Sequence, residues 1–555
     1  MVWTTIDDKD EDVNIPGRCV PGQQLEAVMA NTMLDHLCLL NISSRAPVER
    51  LSGIICVIGA ASREPEVLEK MIEMGMNIAC LNFSHGSQQY HAEVLENIKT
   101  ATANYNKKIR MKCPLGIALI TKGPEIRTGF PIGGRLEFNL DEGDTVQLTS
   151  DVEYIIKADD PNIVHVNYDN LHNILQVGNQ VYIDNKRIFL ECTSIEGLII
   201  TCRVMRGGYL RTRKRVHLPG IQVDLPALSD KDRADLRFAI EHDVDMIFAS
   251  YVRSADAVKE IRDTLGPDGS NILIISQIEN QQGLDNVDDI IKASDGIIVS
   301  RGDLGNEMDQ EEVFLAQKSI IAKCNKVGKP VICTTQMLES MVKHPRPTRA
   351  ERCDVANAVL DGADGIMLNH ETAIGDYPVK SIRDAARICK QAEAAVWQRQ
   401  LVIDITDEVR IAKIIIPPII AVHAVATAAV RISLQLLASA IVVVTASVKS
   451  AQLLTKYRPK CPVIAVTRNA QKARQAHLYR GILPLQYKVE RATEWVKDLN
   501  LRVYYGINFG RKKGFIRPGD PVVVMTGSKQ KSGFADKMKI LYVTKHISHG
   551  TECIC

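Results

Sequence analysis

Short apolar runs rich in β-branched residues recur along the first two thirds of the chain, separated by amphipathic stretches. The eight runs are G53-I-I-C-V-I58, N77-I-A-C-L-N82, G116-I-A-L-I120, V244-D-M-I-F-A249, N271-I-L-I-I-S276, D295-G-I-I-V-S300, V331-I-C-T-T335 and D364-G-I-M-L-N369. The stretches between them, such as residues 66–74 and 314–326, have the length and spacing of helices. This alternation predicts βα units with a parallel sheet, and eight such units close into an α/β TIM (β/α)8 barrel.

The spacing breaks once, because the third and fourth runs lie more than 120 residues apart. Within this insert, apolar and polar residues alternate in short segments, which is typical of an antiparallel sheet. The segments are D144-T-V-Q-L-T149, N162-I-V-H-V-N167, Q180-V-Y-I-D184, R187-I-F-L-E-C192 and L198-I-I-T-C-R-V204. They predict a small antiparallel β-barrel domain that can act as a lid over the carboxyl ends of the strands.

A third pattern begins after residue 396. The runs A440-I-V-V-V-T445, V463-I-A-V-T467 and V522-V-V-M-T526 alternate with helical stretches and predict an open α/β domain. We therefore expect an N-terminal arm at 1–50, a barrel at 51–129 and 219–396, an inserted lid at 130–218, and a C-terminal α/β domain at 397–555.

Charge and composition are those of an ordinary globular protein. The 68 basic residues are balanced by 66 acidic ones, so nothing predicts a nucleic-acid partner. Residues 414–430 are apolar, but the stretch is short and contains Pro417 and Pro418, so a buried helix after a turn is favoured over a membrane span. The acidic N-terminal residues and the scattered cysteines lead us to expect a cytoplasmic protein with reduced thiols.

Two carboxylates follow neighbouring predicted strands. Glu279 comes after the fifth run and Asp303 after the sixth. Because the carboxyl ends of parallel strands meet at one rim, both acids can bind a single magnesium ion there, with a phosphorylated ligand supplying further oxygens. Gln277 shares the strand face of Glu279, yet it is neutral where a cation would be most useful.

Other polar residues end further predicted strands, and each has a structural alternative. Asn82 and Ser84 could bind a monovalent cation or cap the next helix. Arg127 could grip a phosphate or form a surface salt bridge, and Thr335 could relay a proton or act as a cap. The segment T445-A-S-V-K-S450 could bind a phosphate at a helix start or serve as an N-cap.

Several longer blocks resemble those of the pyruvate kinase family, in that family's order. They are T32-M-L-D-H-L-C38, N82-F-S-H-G86, T121-K-G-P-E-I-R-T-G129, I278-E-N280, R301-G-D-L-G305, T335-Q-M-L-E-S-M341, R346-P-T-R-A-E351, D354-V-A-N-A-V-L-D-G-A-D364 and A465-V-T-R-N469. The resemblance implies a barrel, an inserted lid and a C-terminal regulatory domain, assembled as a homotetramer or mixed with a paralogue. It also implies the glycolytic transfer of a phosphoryl group from phosphoenolpyruvate to ADP, which gives pyruvate and ATP.

The resemblance also implies roles for individual residues. Glu279 and Asp303 would bind magnesium, and Asn82, Ser84 and Thr121 would bind potassium. The other implied roles are catalytic for Arg127 and Thr335, substrate-binding for Gly302, Asp303 and Thr335, and nucleotide-binding for Asn82, His85, Arg127 and Lys214.

The chain departs from the family pattern at the centre of the chemistry. Gln277 replaces the lysine that stabilises the enolate, Cys80 replaces a substrate-binding arginine, and Ile120 replaces the aspartate of the potassium site. Further changes are Val57 and Ala60 in the first loop and N369-H-E-T in place of S-G-E-T. In the allosteric loop, at Thr445, Ser447, Lys449 and Ser450, a lysine and a glycine are lost, which argues against activation by fructose 1,6-bisphosphate.

Three functions are therefore open. The chain is a pyruvate kinase with strongly reduced activity, a catalytically inactive homologue that acts as a binding or regulatory subunit, or an enzyme for another metal-dependent reaction, such as enolisation or decarboxylation, of a phosphoenolpyruvate-like or oxo-acid ligand. The family blocks favour the first, and the neutral residues at 277 and 80 favour the second.

Overall fold

The computed structural model describes residues 24–129, 137–151, 163–411, 421–528 and 533–544, and the side chains of all of these except 406–411. Two short helices, Leu25–Val28 and Met33–Cys38, precede the barrel.

The eight apolar runs form one closed barrel of parallel strands, which confirms the predicted fold class. Each strand pairs with its neighbours in chain order, and the eighth pairs with the first. In chain order the strands are Gly53–Ile58, Ile78–Asn82, Gly116–Ile120, Met246–Ala249, Leu273–Ile278, Gly296–Ser300, Val331–Thr334 and Gly365–Leu368. Side chains that alternate along them form two apolar layers, one inside the barrel and one between strands and helices.

The helices around the barrel begin where the sequence supplies caps. Ser87, Ser229, Ser254 and Thr348 each accept a backbone N–H bond in the first turn of the following helix. The helices are Pro65–Met74, Gln88–Ile109, Asp230–Glu241, Ala255–Leu265, Gln281–Asp285, Val287–Ala293, Arg301–Glu307, Val313–Val327, Arg349–Leu360, His370–Ala373 and Pro378–Ala394, with 3-10 turns at Gln310–Glu312 and Glu339–Val342.

A repeated hydrogen bond fixes the strand register at the amino end of the barrel, where the strands begin. The residue just before each even-numbered strand accepts a backbone N–H from the start of the preceding strand. The acceptors and donors are Asn77 with Ile54, Asp245 with Ile117, Asp295 with Ile274 and Asp364 with Val331, at 2.8–3.0 Å. Each bond satisfies a backbone donor that would otherwise have no partner where the barrel closes.

The insert between the third and fourth strands is a β domain, as predicted, but it consists of two sheets, and its strands Thr145–Thr149 and Ile163–His165 pair in parallel instead of antiparallel. Its larger sheet has six strands in the order Val216–His217, Gln180–Ile183, Ile188–Glu196, Ile199–Arg206, Thr145–Thr149 and Ile163–His165. Glu137–Leu140 and Gly208–Arg211 form a separate pair, and one helical turn spans Leu171–Ile174. The sequence pattern missed that pair and the two-residue strand at 216–217, because each is too short for an alternation to be visible.

The C-terminal region is an open α/β sheet. Its strands lie in the order Ile482–Gln486, Val463–Thr467, Ala440–Val444, Pro521–Thr526 and Lys537–Tyr542, with the last one antiparallel. The helices are Gln398–Ile411, Ala421–Gln435, Lys449–Lys456, Ala470–Gln475 and Trp495–Lys513, with a 3-10 turn at Ala476–Leu478. Within the described ranges, no helix is both long and apolar enough to cross a membrane.

This domain packs against the amino end of the barrel through buried ion pairs. Arg474 binds Asp245, with Nε 2.8 Å from Oδ1, and Arg458 binds Asp364, with Nη1 2.8 Å from Oδ1. His477 lies beside them, where its Nε2 is 2.8 Å from the carbonyl oxygen of Pro114. The carboxyl end of the barrel is thereby left open for a ligand.

Candidate active site

A cleft of about 1400 Å³ opens at the carboxyl end of the barrel strands. Its lining includes the predicted metal acids and also residues from the base of the lid. Active sites of TIM barrels lie at this end, because the loops that follow the strands converge there.

Glu279 and Asp303 come to this rim from adjacent strands. Glu279 is buried and accepts the backbone N–H of Tyr251 at 2.6 Å. Asp303 accepts the hydroxyl of Ser300 at 2.7 Å. Burial raises the pKa of Glu279, and the nearby charge of Asp303 raises that pKa further. The pair is therefore a place where negative charge is costly and a cation is favoured.

Arg215 is the cation that the structure places against these acids. One terminal nitrogen, Nη1, lies 2.9 Å from Oδ1 of Asp303, and the other, Nη2, lies 2.9 Å from Oε1 of Glu125. The guanidinium also lies 5.9 Å from the centre of the Tyr251 ring. Burial alone would lower the pKa of Arg215, but its acidic surroundings raise that pKa above its usual range.

Arg127 shares the second oxygen of Glu125. Its Nε donates to Oε2 of Glu125 at 2.5 Å, and its Nη1 donates to the carbonyl of Arg213 at 2.8 Å. The Glu125 side chain is only 2 % exposed, so this is a buried pair instead of the surface salt bridge considered as the alternative. A phosphate would have to compete with Glu125 for this guanidinium.

Gln277 is held sideways by a short hydrogen-bond chain. Its Nε2 donates to the hydroxyl of Ser250 at 2.9 Å, and that hydroxyl donates to the carbonyl of Thr121 at 2.8 Å. The side chain is buried and lines the cleft. One of its amide hydrogens is thus used within the barrel, and the group brings no charge to the cleft.

The rim of the second and third strands is apolar. Cys80 has no solvent exposure and packs inside the barrel with Val57 and Ile120. Val57 and Cys80 are direct neighbours in the strand register, as are Ile120 and Asn82. Burial raises the pKa of the Cys80 thiol, so that side chain stays neutral.

The predicted potassium ligands are already engaged within the protein. The side-chain oxygen of Asn82 accepts the backbone N–H of Ser84 at 2.9 Å. The hydroxyl of Thr121 accepts the backbone N–H of Ser250 at 3.0 Å. With Ile120 beside them in place of a carboxylate, these neutral oxygens do not fit a potassium site. The alternative, that Asn82 and Ser84 cap the next helix, is wrong, because Ser87 caps that helix, and the Asn82 side chain instead closes a local turn onto Ser84.

Thr335 and Gly302 meet across the sixth and seventh strands. The Thr335 hydroxyl accepts the Gly302 N–H at 2.6 Å and donates to the carbonyl of Thr334 at 2.7 Å. A Cβ on Gly302 would lie 3.1 Å from that hydroxyl, so glycine permits the close approach. Thr335 has a φ of 65°, which is unusual for a β-branched residue and typical of functional loops.

The predicted nucleotide contacts lie on two sides of the cleft. His85 lines it, and burial lowers the pKa of His85, with Arg127 lowering it further. Lys214 lies on the lid, where its Nζ is 2.8 Å from Asp184. At the eighth strand, His370 contacts Glu339 at 3.0 Å, and this hydrogen bond raises the pKa of His370.

Comparison with known proteins agrees with this architecture. A sequence model of the pyruvate kinase barrel domain matches residues 49–382, and one of the pyruvate kinase alpha/beta domain matches residues 423–541. Pyruvate kinase PKLR of Homo sapiens is 49% identical over 525 residues, which cover 94% of this chain and 90% of the human protein. The chain belongs to the pyruvate kinase family.

More distant pyruvate kinases align over nearly the same span. That of Schizosaccharomyces pombe is 44% identical over 482 residues, covering 87% of this chain and 92% of the relative. Pyruvate kinase 1 of Trypanosoma brucei brucei is 41% identical over 513 residues, covering 92% of this chain and all of the relative.

Members of the pyruvate kinase family use a divalent cation, so the fit of the rim acids to magnesium matters. Their oxygens are the right donors. However, Asp303 has both oxygens engaged, one by Arg215 and one by Ser300. With Arg215 in this position, a magnesium ion held by Glu279 and Asp303 would have to compete with the guanidinium for Oδ1 of Asp303.

The helix start predicted to resemble the family's allosteric loop is used internally. The hydroxyl of Thr445 accepts the N–H of Val448 at 3.1 Å, and that of Ser450 accepts the N–H of Ala535 at 2.9 Å. Val448 itself, not Ser447 or Lys449, is the N-cap residue, and it has a φ of 64°.

Sequence reasoning missed three residues that shape the pyruvate kinase-like site. Glu125 lies inside the family-like block T121 to G129, and Arg215 directly follows Lys214, but the sequence pattern assigns a role to neither. Tyr251 lies just beyond the fourth apolar run. The available signal was position, because each follows a barrel strand or borders the lid, where site residues concentrate.

Proposed function

We propose that this chain transfers a phosphoryl group from phosphoenolpyruvate to ADP, giving pyruvate and ATP, at a strongly reduced rate. The observation that carries the proposal is the neutral Gln277, tied to Ser250, in a barrel that matches the pyruvate kinase barrel domain over residues 49–382. By family analogy the reaction belongs to glycolysis, the protein is located in the cytoplasm, and it assembles as a homotetramer or a mixed tetramer.

The retained residues would bind and orient the substrates. Arg127 would contact the phosphoryl group, while Gly302 and Thr335 would position the three-carbon unit near the Thr335 hydroxyl. Lys214 and His85, with Asn82, would contact the nucleotide from the lid side and the rim. Glu279 and Asp303 would hold magnesium, which would supply positive charge beside the transferred phosphoryl group. No role is assigned to potassium, because Ile120 leaves its site without a carboxylate.

The expected loss of rate follows from the missing charges. Removing one preorganised donor from developing negative charge costs about 3 kcal/mol, a factor of roughly 10² to 10³. Replacing an arginine contact by Cys80 removes a further charge-assisted bond of about 1.5–3 kcal/mol. The two effects need not add, but each alone makes the enzyme slow.

A coupled assay tests the proposal directly. The purified full-length protein is supplied with phosphoenolpyruvate, ADP, magnesium and potassium, beside the Schizosaccharomyces pombe relative as a matched control. We expect turnover at least about a hundredfold below that of the control. Turnover within about tenfold, a gap of only ~1.4 kcal/mol, would contradict the proposal.

Restoring the family residues sharpens the test. The triple variant Gln277→Lys, Cys80→Arg, Ile120→Asp should raise kcat/KM by about 10² or more, since it returns charge to the centre of the cleft. The matched control is Cys324→Ser, which changes a buried thiol of the helical layer. If the triple variant folds but gains no activity, the defect lies in the first loop or at Asn369 and His370.

A second candidate function is that of a binding or regulatory subunit without turnover. The apolar patch of Cys80, Val57 and Ile120 favours it, because Val57 and Ile120 line the cleft without a polar contact for a substrate and Cys80 is buried behind them. Calorimetric binding of phosphoenolpyruvate together with an undetectable rate supports this candidate, and measurable turnover excludes it.

A further inference from the structure

Arg215 joins two acids that belong to different loops. Its two terminal nitrogens lie 2.9 Å from Asp303 and 2.9 Å from Glu125. Asp303 follows the sixth strand, whereas Glu125 follows the third, so the guanidinium spans the mouth of the barrel. A side chain in such a position acts as a cross-link between the two rim segments.

The backbone around Arg215 is fixed at the base of the lid. Arg215 is bridged to Arg127 in antiparallel fashion, and its carbonyl accepts the N–H of Asp184 at 3.1 Å. The next residue, Val216, donates its N–H to Ile126 at 2.9 Å. These backbone contacts fix the position of the Arg215 main chain, and only 32 % of its side chain is exposed.

Arg215 supplies part of the positive charge that faces the rim acids. The acids around it are Glu125, Glu279 and Asp303; Arg127 pairs with Glu125, and Arg253 lies in the field of Glu279. Removing Arg215 makes the cluster more negative by one charge, which favours binding of a divalent cation.

A metal ion and Arg215 would use the same atom. Magnesium binds carboxylate oxygens at about 2.0–2.1 Å. Oδ1 of Asp303 is already held by Arg215 at 2.9 Å. Two cations that approach one oxygen also repel each other, so binding of one disfavours binding of the other.

We propose that Arg215 is the resident cation of this acid cluster and that it competes with a divalent metal ion for Asp303. The inference rests on the proposed function only in taking Glu279 and Asp303 as the metal-binding acids. It concerns binding, so it holds whether the chain turns over quickly, slowly or not at all.

The test measures binding of Mn²⁺ to the full-length protein without substrate, by the loss of the free-ion signal in electron paramagnetic resonance. Arg215→Gln should bind Mn²⁺ at least about tenfold more tightly than the wild type, because a competing charge-assisted contact is removed. The matched control is Arg211→Gln, since Arg211 is an exposed lid arginine paired with Glu137 at 2.8 Å. Its affinity should equal that of the wild type.

Two further measurements keep the outcome decisive. Arg215→Lys keeps the positive charge, so its Mn²⁺ affinity should stay nearer to that of the wild type than to that of Arg215→Gln. If Arg215→Gln binds Mn²⁺ no more tightly than the wild type, the proposal is overturned. If the glutamine variant does not fold, the Mn²⁺ affinity of the wild type is compared with that of the Schizosaccharomyces pombe relative. A weaker affinity of the wild type supports the proposal, and an equal affinity overturns it.

Discussion

The two ends of the barrel use the same chemical groups in opposite ways. At the amino end, Asp245 and Asp364 each have their own arginine and a backbone N–H. At the carboxyl end, Glu125 and Asp303 divide the guanidinium of Arg215, and burial raises the pKa of Glu279 beside them. Each of these aspartates at the amino end has an arginine of its own, whereas the acids at the carboxyl end are less completely compensated.

The difference shows which end supports the fold and which end can bind a ligand. Compensated buried ion pairs are strongly destabilising to break, because the remaining charge loses its partner. An incompletely compensated cluster is instead a cost that the rest of the fold sustains, which is common at binding sites. Four changes test this contrast.

The largest effect is expected from Asp364→Ala at the amino end. The change leaves Arg458, which is only 5 % exposed, without its carboxylate, and it also removes the acceptor for the N–H of Val331. We expect a loss of about 3–5 kcal/mol in the free energy of unfolding, measured with urea. An unchanged urea midpoint would show that the pair is not structural.

A pH effect at the same end should be next in size. Burial lowers the pKa of His477 to about 4, and its Nδ1 lies 3.3 Å from the amide nitrogen of Asn77, which can only donate. The unfolded chain therefore binds a proton more readily than the folded one. The stabilisation is complete above the unfolded pKa of about 6.5 and is lost as the pH falls towards 4, by about 1.4 kcal/mol per pH unit.

The contribution of His477 is isolated by comparison with His477→Gln, which has no titrating ring. The difference in unfolding free energy between the wild type and the variant should change by about 2 kcal/mol between pH 7 and pH 5. A difference that is constant with pH would mean that His477 keeps its ordinary pKa.

Glu279→Gln should have a smaller effect, in the opposite direction. The change removes one of three neighbouring carboxylates, while the new amide oxygen can still accept the N–H of Tyr251. Because burial and Asp303 raise the pKa of Glu279, its charged form is costly, and we expect a gain of about 1 kcal/mol in stability near pH 8. Thermal unfolding measures this change in stability. A loss of stability as large as that of Asp364→Ala would mean that both ends of the barrel support the fold equally.

The smallest effect is expected from Asp256→Ala, far from both ends. Asp256 pairs with Lys259 at 2.7 Å, but both side chains are exposed, at 86% and 69%. Such pairs contribute about 0.2–1 kcal/mol at most, so the urea midpoint should hardly move. A large shift of the urea midpoint would mean that even an exposed aspartate is costly to replace, so that the effect of Asp364→Ala could not be assigned to its buried ion pair.

The fold could be predicted from the sequence because it depends on long-range periodicity. All eight barrel strands lie within the apolar runs or extend them by at most two residues, as in Leu273–Ile278. The predicted domain limits, such as 130 and 218, stay predictions. In the C-terminal sheet the strands Ile482–Gln486 and Lys537–Tyr542 were missed, because Pro484 and the exposed lysines hide their apolar pattern.

The site could be predicted only in part. From their positions along the strands, Gln277, Glu279 and Asp303 were predicted to lie at one rim, and all three line the same cleft, since the ends of parallel strands must meet. The partners of these residues could not be predicted, because Ser250 and Arg215 reach them from another strand and from the lid. Such contacts depend on how loops fold back, which no local pattern encodes.

The bonds from the residues before the even-numbered strands allow the two ends to evolve separately. Since register is set where the strands start, side chains at the opposite mouth can be exchanged without risk that a strand slips and turns its interior outward. Proteins with this barrel can therefore lose the active-site residues of an ancestral reaction one by one and still keep an intact fold.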